Sequence, residues 1–143
     1  MSLTVRVHAA AEPPEVWARL IDFARWPDWN PACVSAEVLG PVEPGTQLRW
    51  QLRHPRGRVF LTTPRLISVE APGRLGWETR ALGFRAPALI TCEPDPDGTR
   101  VTLASDVRGP LAFSYRLTFP EKAQGLMWSG ALTGLAASFA TTA

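Results

Sequence analysis

The chain has 143 residues, 45% of them hydrophobic and 20% charged, with a net charge of +2. That length supports one domain with a substantial core, and the composition is that of an ordinary globular protein. Fourteen of its fifteen basic residues are arginines spread from Arg6 to Arg116, so the basic stripe of a nucleic-acid binder is missing.

Cys33 and Cys92 form no CxxC pair and have no nearby histidine, which argues against a metal site and against a secreted disulfide scaffold. Buried, reduced thiols in a cytoplasmic protein fit better. Ser2 to Ala9 alternates instead of forming the apolar run of a signal peptide. Ala123 to Ala143 is uncharged over about the length of a membrane span. Gln124, Ser129, Thr133 and Ser138 interrupt it, and the expected element is a helix buried along a sheet, with no membrane span.

Leu3, Val5 and Val7 alternate with Thr4, Arg6 and His8, the pattern of a half-buried strand. Pro13-Pro14 then opens a helix whose inner face carries Val16, Trp17, Leu20 and Ile21. Asp22 is placed to cap a second short helix, on which Trp26 and Trp29 share a face until Pro31 ends it. Strand patterns follow at Val34–Leu39, at Gln47–Arg53 with Leu48, Trp50 and Leu52 inward, and at Arg58–Glu70. Pro64 inside that last run predicts a bulge or a sheet edge. Arg74–Arg80 carries Trp77. Pro87–Glu93 and Thr99–Val107 flank Asp95-Pro96-Asp97-Gly98, a strong hairpin turn. Gly109–Phe119 is readable as a helical piece or a loop. Pro120-Glu121 then starts a helix whose apolar stripe is Trp128, Leu132, Leu135 and Phe139.

The segment Glu12 to Pro31 sets three tryptophans and a phenylalanine into a short helical stretch between two strand-like runs. Together with the order of elements, it resembles the START-like helix-grip superfamily (SRPBCC), which includes polyketide cyclase/dehydrase and lipid-transport proteins. The resemblance covers nearly the whole chain. It implies a single domain over residues 1–143 of α+β class, with a curved antiparallel sheet of about 6–7 strands wrapped around a long C-terminal helix. Two short helices would follow strand 1. It also implies a cavity between sheet and helix for an apolar small molecule, with no cofactor.

Candidate site residues follow from that layout. In similar proteins the helical cap and the last helix border the cavity entrance, which makes Trp26 and Trp29 the first candidates. Trp50, Trp77, Met127 and Trp128 are further candidates for its lining, and Arg65 and Tyr115 for its polar points. Ser105, Asp106 and Thr91 are weaker polar candidates. Gly125, Gly130 and Gly134 weaken the last helix, and either close packing or room for a ligand offsets that. His8 is expected outside and His54 in a turn. No Ser/His/Asp set, GxSxG elbow or HExxH motif is present, so no catalytic residue is assigned.

Three functions therefore stay open. A binder of a small hydrophobic ligand needs a mostly apolar cavity. A cyclase/dehydrase-type enzyme needs convergent ionisable groups inside it. An interaction module needs a filled interior and a large exposed apolar patch. A homodimer is compatible with all three.

Overall fold

Alternation carries Ser2–Ala9 into the first strand, β1. The chain is described by a computed structural model at residues 2–81, 83–112 and 121–139. Helix α1 (Pro13–Ile21) starts where expected, with proline in its first turn, and buries Pro13, Val16, Trp17 and Leu20. A 3-10 helix (Phe23–Asp28) follows and buries Phe23 and Trp26. Asp22 stands at its cap position, where its carbonyl accepts from the Arg25 N–H at 3.1 Å, but its side chain makes no cap bond and lies 3.6 Å from Arg25 Nε instead.

The remaining strands are β2 (Cys33–Val38), β3 (Leu48–Arg53), β4 (Val59–Thr62), β5 (Arg65–Glu70), β6 (Arg74–Ala81), β7 (Phe84–Asp95) and β8 (Gly98–Asp106). All described pairings are antiparallel, in two sheets of order β1-β8-β7-β6-β5 and β2-β3-β4. The run expected as one long strand, Arg58–Glu70, is divided at Pro64, which brings the described strands to eight. Proline offers no N–H to continue a ladder. Ahead of it β4 pairs with β3, and after it β5 pairs with β6. The sheets stay joined at this bend, because Leu48 N donates to Pro64 O and Leu66 N to Thr46 O, each at 2.8 Å. They form one strongly curved surface.

The β7–β8 hairpin turns at Pro96-Asp97, where Asp97 adopts φ +62°. Gly98 follows because a Cβ there would lie 2.0 Å from the Ala9 carbonyl oxygen. Helix α2 (Glu121–Ser138) crosses the concave side. Its buried stripe is Met127, Trp128, Ala131, Leu132 and Leu135, with Phe139 half-buried beyond it. A Cβ on Gly134 would stand 1.9 Å from the Trp29 carbonyl oxygen, so this glycine serves close packing. The last turn of α2 is tied to α1. Arg19 Nη1 donates to the Ser138 carbonyl at 2.9 Å and to its Oγ at 2.7 Å, and the guanidinium lies 3.9 Å over the Phe139 ring. No described helix is long and apolar enough to cross a membrane.

Candidate functional site

All six tryptophans are buried, and five of them meet in one stack. Trp26 stacks on Trp50 with centroids 4.9 Å apart and ring planes at 26°. Trp77 meets Trp50 edge-on at 5.1 Å, and Trp128 reaches Trp77 at 5.6 Å from the helix side. Trp29 packs on the other side of Trp26 at 5.0 Å. Strand parity explains the inward set, since Leu48, Trp50 and Leu52 are buried while Arg49 and Arg53 are exposed. A local bond orients Trp26: its Nε1 donates to the Leu20 carbonyl at 2.9 Å. That bond satisfies a carbonyl at the end of α1 and swings the ring into the core.

A cavity of about 50 Å³ remains between the two sheets and α2. Its walls are Trp50 and Leu52 of β3, Phe60 and Thr62 of β4, and Trp77 and Thr79 of β6. Ala86, Pro87 and Ala88 of β7, Ser105 and Asp106 of β8, and Gln124, Met127 and Trp128 of α2 complete them. Thr62 Oγ1 and Thr79 Oγ1 approach to 3.5 Å across the split between β4 and β6. Among the described residues no acceptor is in place for the buried indole N–H groups of Trp50 and Trp29.

Asp106 is the ionisable group among the described lining residues. Its Oδ2 accepts from Arg108 Nε at 2.9 Å and its Oδ1 from the Val107 N–H at 2.8 Å. The Arg108 hydrogen bond leads in holding this carboxyl below the usual carboxylate range, against a smaller opposing effect of desolvation. It is a weak base as a result. Burial pushes the thiols of Cys33 and Cys92 up to about 11, so neither is a nucleophile at neutral pH. Among the described residues no group of three or more His, Cys, Asp or Glu is placed to hold a metal ion.

Two larger hollows lie outside. A groove of about 590 Å³ runs between α1, the 3-10 helix and the end of α2. Glu15, Asp22 and Asp28 face Arg19 and Arg25 across it, a mixed-charge lining suited to water. A shallower hollow of about 320 Å³ lies on the convex side around Gly76, Ile67 and Leu89. The interior cavity is smaller than either, and its lining sets tryptophan, phenylalanine and methionine walls beside half-buried Thr62, Thr79 and Ser105 and buried Gln124.

The structure sorts the predicted site residues. Trp50, Trp77, Met127 and Trp128 line the cavity. Trp26 does not, because its bond to Leu20 fixes it behind Trp50, fully buried. Trp29 does not either, and borders the charged groove instead. Arg65 is exposed and donates to the Gly45 carbonyl at 2.8 Å. Register restarts after Pro64 with Leu66 inward, which sends Arg65 outward. Tyr115 lies outside the described residues, as do Phe113 and Phe119. Ser105 and Asp106 reach the cavity, whereas Thr91 is on the opposite strand face from buried Ile90 and Cys92.

Sequence reasoning missed Phe60, Thr62, Thr79 and Gln124. Thr79 shares parity with Trp77, and Gln124 stands three and four residues before Met127 and Trp128, so both signals were present. His8 is exposed, with Nδ1 3.1 Å from Asp95 Oδ2, and buried His54 accepts at Nδ1 from the Arg56 N–H at 3.1 Å.

Among curated protein sequences none matches this chain. Among solved structures it is similar to a START superfamily protein from Mycobacterium smegmatis, with 18% identity, a TM-score of 0.75 and 96% of each chain covered. A protein from Rhodobacter sphaeroides is 25% identical at a TM-score of 0.74, over 99% of this chain and 93% of that one. The di-domain ARO/CYC BexL from the BE-7585A biosynthetic pathway gives a TM-score of 0.80 at 16% identity. That match takes in 100% of this chain and 51% of the BexL chain, which is one of its halves in length. The family model described as polyketide cyclase/dehydrase and lipid transport matches residues 1–140, and the chain belongs to that family.

Proposed function

We propose that this protein binds a small hydrophobic molecule in the cavity between the curved sheet and α2. The observation that carries this reading is the wall itself. Trp50, Leu52, Phe60, Trp77, Met127 and Trp128 supply apolar surface, and Thr62, Thr79, Ser105 and Gln124 add a few polar points. Ligand sites are commonly built this way, with apolar walls for affinity and sparse polar groups for orientation. Burial of ligand surface against them gains about 25 cal/mol per Å² before association costs.

Size limits what the observed conformation admits. About 50 Å³ is room for roughly four waters, at about 10–15 Å³ each. A longer lipid- or polyketide-like molecule enters only if part of the wall moves. Met127 is the side chain best suited to move, being unbranched with three rotatable bonds.

A cyclase/dehydrase-type activity draws support from the likeness to the ARO/CYC protein BexL. General acid–base chemistry needs a group with a tuned pKa within reach of the substrate. Asp106, held low by Arg108, is poorly tuned for that, which favours binding over catalysis.

Native mass spectrometry of the protein purified from its own host tests the proposal, followed by extraction of any bound compound. An apolar compound at near-stoichiometric occupancy is expected. A clean unliganded protein that also ignores hydrophobic fluorescent probes contradicts it.

A further inference from the structure

We propose that the end of the sheet at which the cavity lies docks on an anionic lipid bilayer, through a collar of arginines with exposed aliphatic side chains among them. This is independent of whether the cavity holds a guest. Arginines scattered along the sequence are gathered by the strands that wall the cavity. Arg53 follows Leu52 on β3, Arg80 follows Thr79 on β6, and Arg85 precedes Ala86 on β7. Arg58 leads into β4, and Arg108 stands two residues beyond Asp106 at the exit of β8. Register sets them at one end. Arg53 opposes Val59, Arg80 opposes Arg85, and Arg85 opposes Arg108, while Thr62 and Thr79 meet between β4 and β6. With Arg56 of the β3–β4 turn, all six are exposed.

Like charges directly opposite one another destabilise a sheet, so the row of Arg80, Arg85 and Arg108 has a cost that the fold alone does not explain. Two carboxylates offset part of it. Buried Glu78 accepts from Arg80 Nε and lies 4.0 Å from Arg85 Nη1, and Asp106 accepts from Arg108 Nε. At these strand ends and turns six arginines stand against two carboxylates, a formal +4 in a chain whose total is +2. Val59, Leu61 and Leu111 are exposed at the same end, Leu61 to 59%. Leu111 lies against Gly83, beside the Arg85–Arg108 pair. Cations alone suit any polyanion. Cations interleaved with exposed aliphatic groups suit a surface that is anionic outside and apolar a few ångströms beneath, which is a bilayer. Guanidinium groups also fork onto phosphate oxygens.

The test is co-sedimentation of the full chain with vesicles, either of phosphatidylcholine alone or of phosphatidylcholine and phosphatidylglycerol in equal parts. Binding is expected to the anionic vesicles only. It should fall as salt rises from about 0.1 M to about 1 M, because the screening length shrinks from about 10 Å to about 3 Å. Arg53→Gln/Arg58→Gln should weaken it about ten- to thirtyfold, since each arginine near an anionic surface is worth about fivefold. Arg49→Gln/Arg74→Gln removes the same charge toward the far ends of β3 and β6, beyond a screening length, and should leave binding little changed. Leu61→Ser should weaken it several-fold without altering its salt dependence. Anionic vesicles left unbound, or bound equally by the two double variants, overturn the proposal. Binding of polyglutamate that matches the vesicles and ignores Leu61→Ser overturns it in favour of an acidic protein partner. Wild-type sedimentation and Leu61→Ser decide the matter even if a double variant does not fold.

Discussion

Trp26 shows how one hydrogen bond decides a residue's role. Its N–H on the Leu20 carbonyl pins the ring inside the stack, so a residue placed by sequence at a cavity entrance is core. Trp26→Ala should therefore lower unfolding free energy by about 3–5 kcal/mol, read from urea denaturation. An unchanged midpoint with weaker ligand uptake would return the residue to a gating role. The inward facing of Trp50 and the outward facing of Arg49 were legible from two-residue parity. The Trp26 bond was not, because it depends on how the 3-10 helix turns back onto α1.

Cys33 and Cys92 give a pH signature at the same scale. Burial raises both thiols from 9.0 to about 11, so folding favours the neutral form. That contribution is whole below pH 9 and is lost as pH climbs from there through 11. The urea midpoint should fall over this interval, and should fall less in a Cys33→Ala/Cys92→Ala variant. An identical slope in the two proteins would remove the thiols from the account.

Between elements, the contacts of α2 are set by its glycines. A Cβ at Gly134 collides with the Trp29 carbonyl at 1.9 Å, whereas at Gly130 its nearest neighbour is Pro31 Cγ at 3.9 Å. Gly130→Ala should thus stabilise by up to about 1 kcal/mol through helix propensity. Gly134→Ala should destabilise by about 1–3 kcal/mol, as overpacking does. Equal effects in urea denaturation would refute the close approach of α2 to the Trp29–Pro31 corner. Arg19→Ala should speed amide hydrogen exchange in the last turn of α2, because it removes both bonds to Ser138. The glycine spacing in the sequence signalled that something offsets their cost, and only the packed elements show which glycine is crowded. Pro64 was a clear signal of an interrupted strand. That the interruption moves the chain from one sheet to the other could not be read from it, since partner choice is a long-range property.

At the scale of the whole molecule, a curved sheet around a helix was legible from the order of elements and from the hairpin at Asp95–Gly98. The volume left inside was not. It depends on how Trp26, Trp50, Trp77 and Trp128 stack, and tryptophans that suggest a roomy pocket by their number fill most of it here. The protein joins a family fold to a compact, aromatic-walled space, and its function turns on whether that space accepts an apolar guest. Diffraction from xenon-pressurised crystals asks this most directly, because xenon settles in apolar cavities. Xenon density among Trp50, Trp77, Met127 and Trp128 is the predicted result. Xenon confined to the convex hollow by Ile67 and Leu89, with the interior closed to it, would contradict the account.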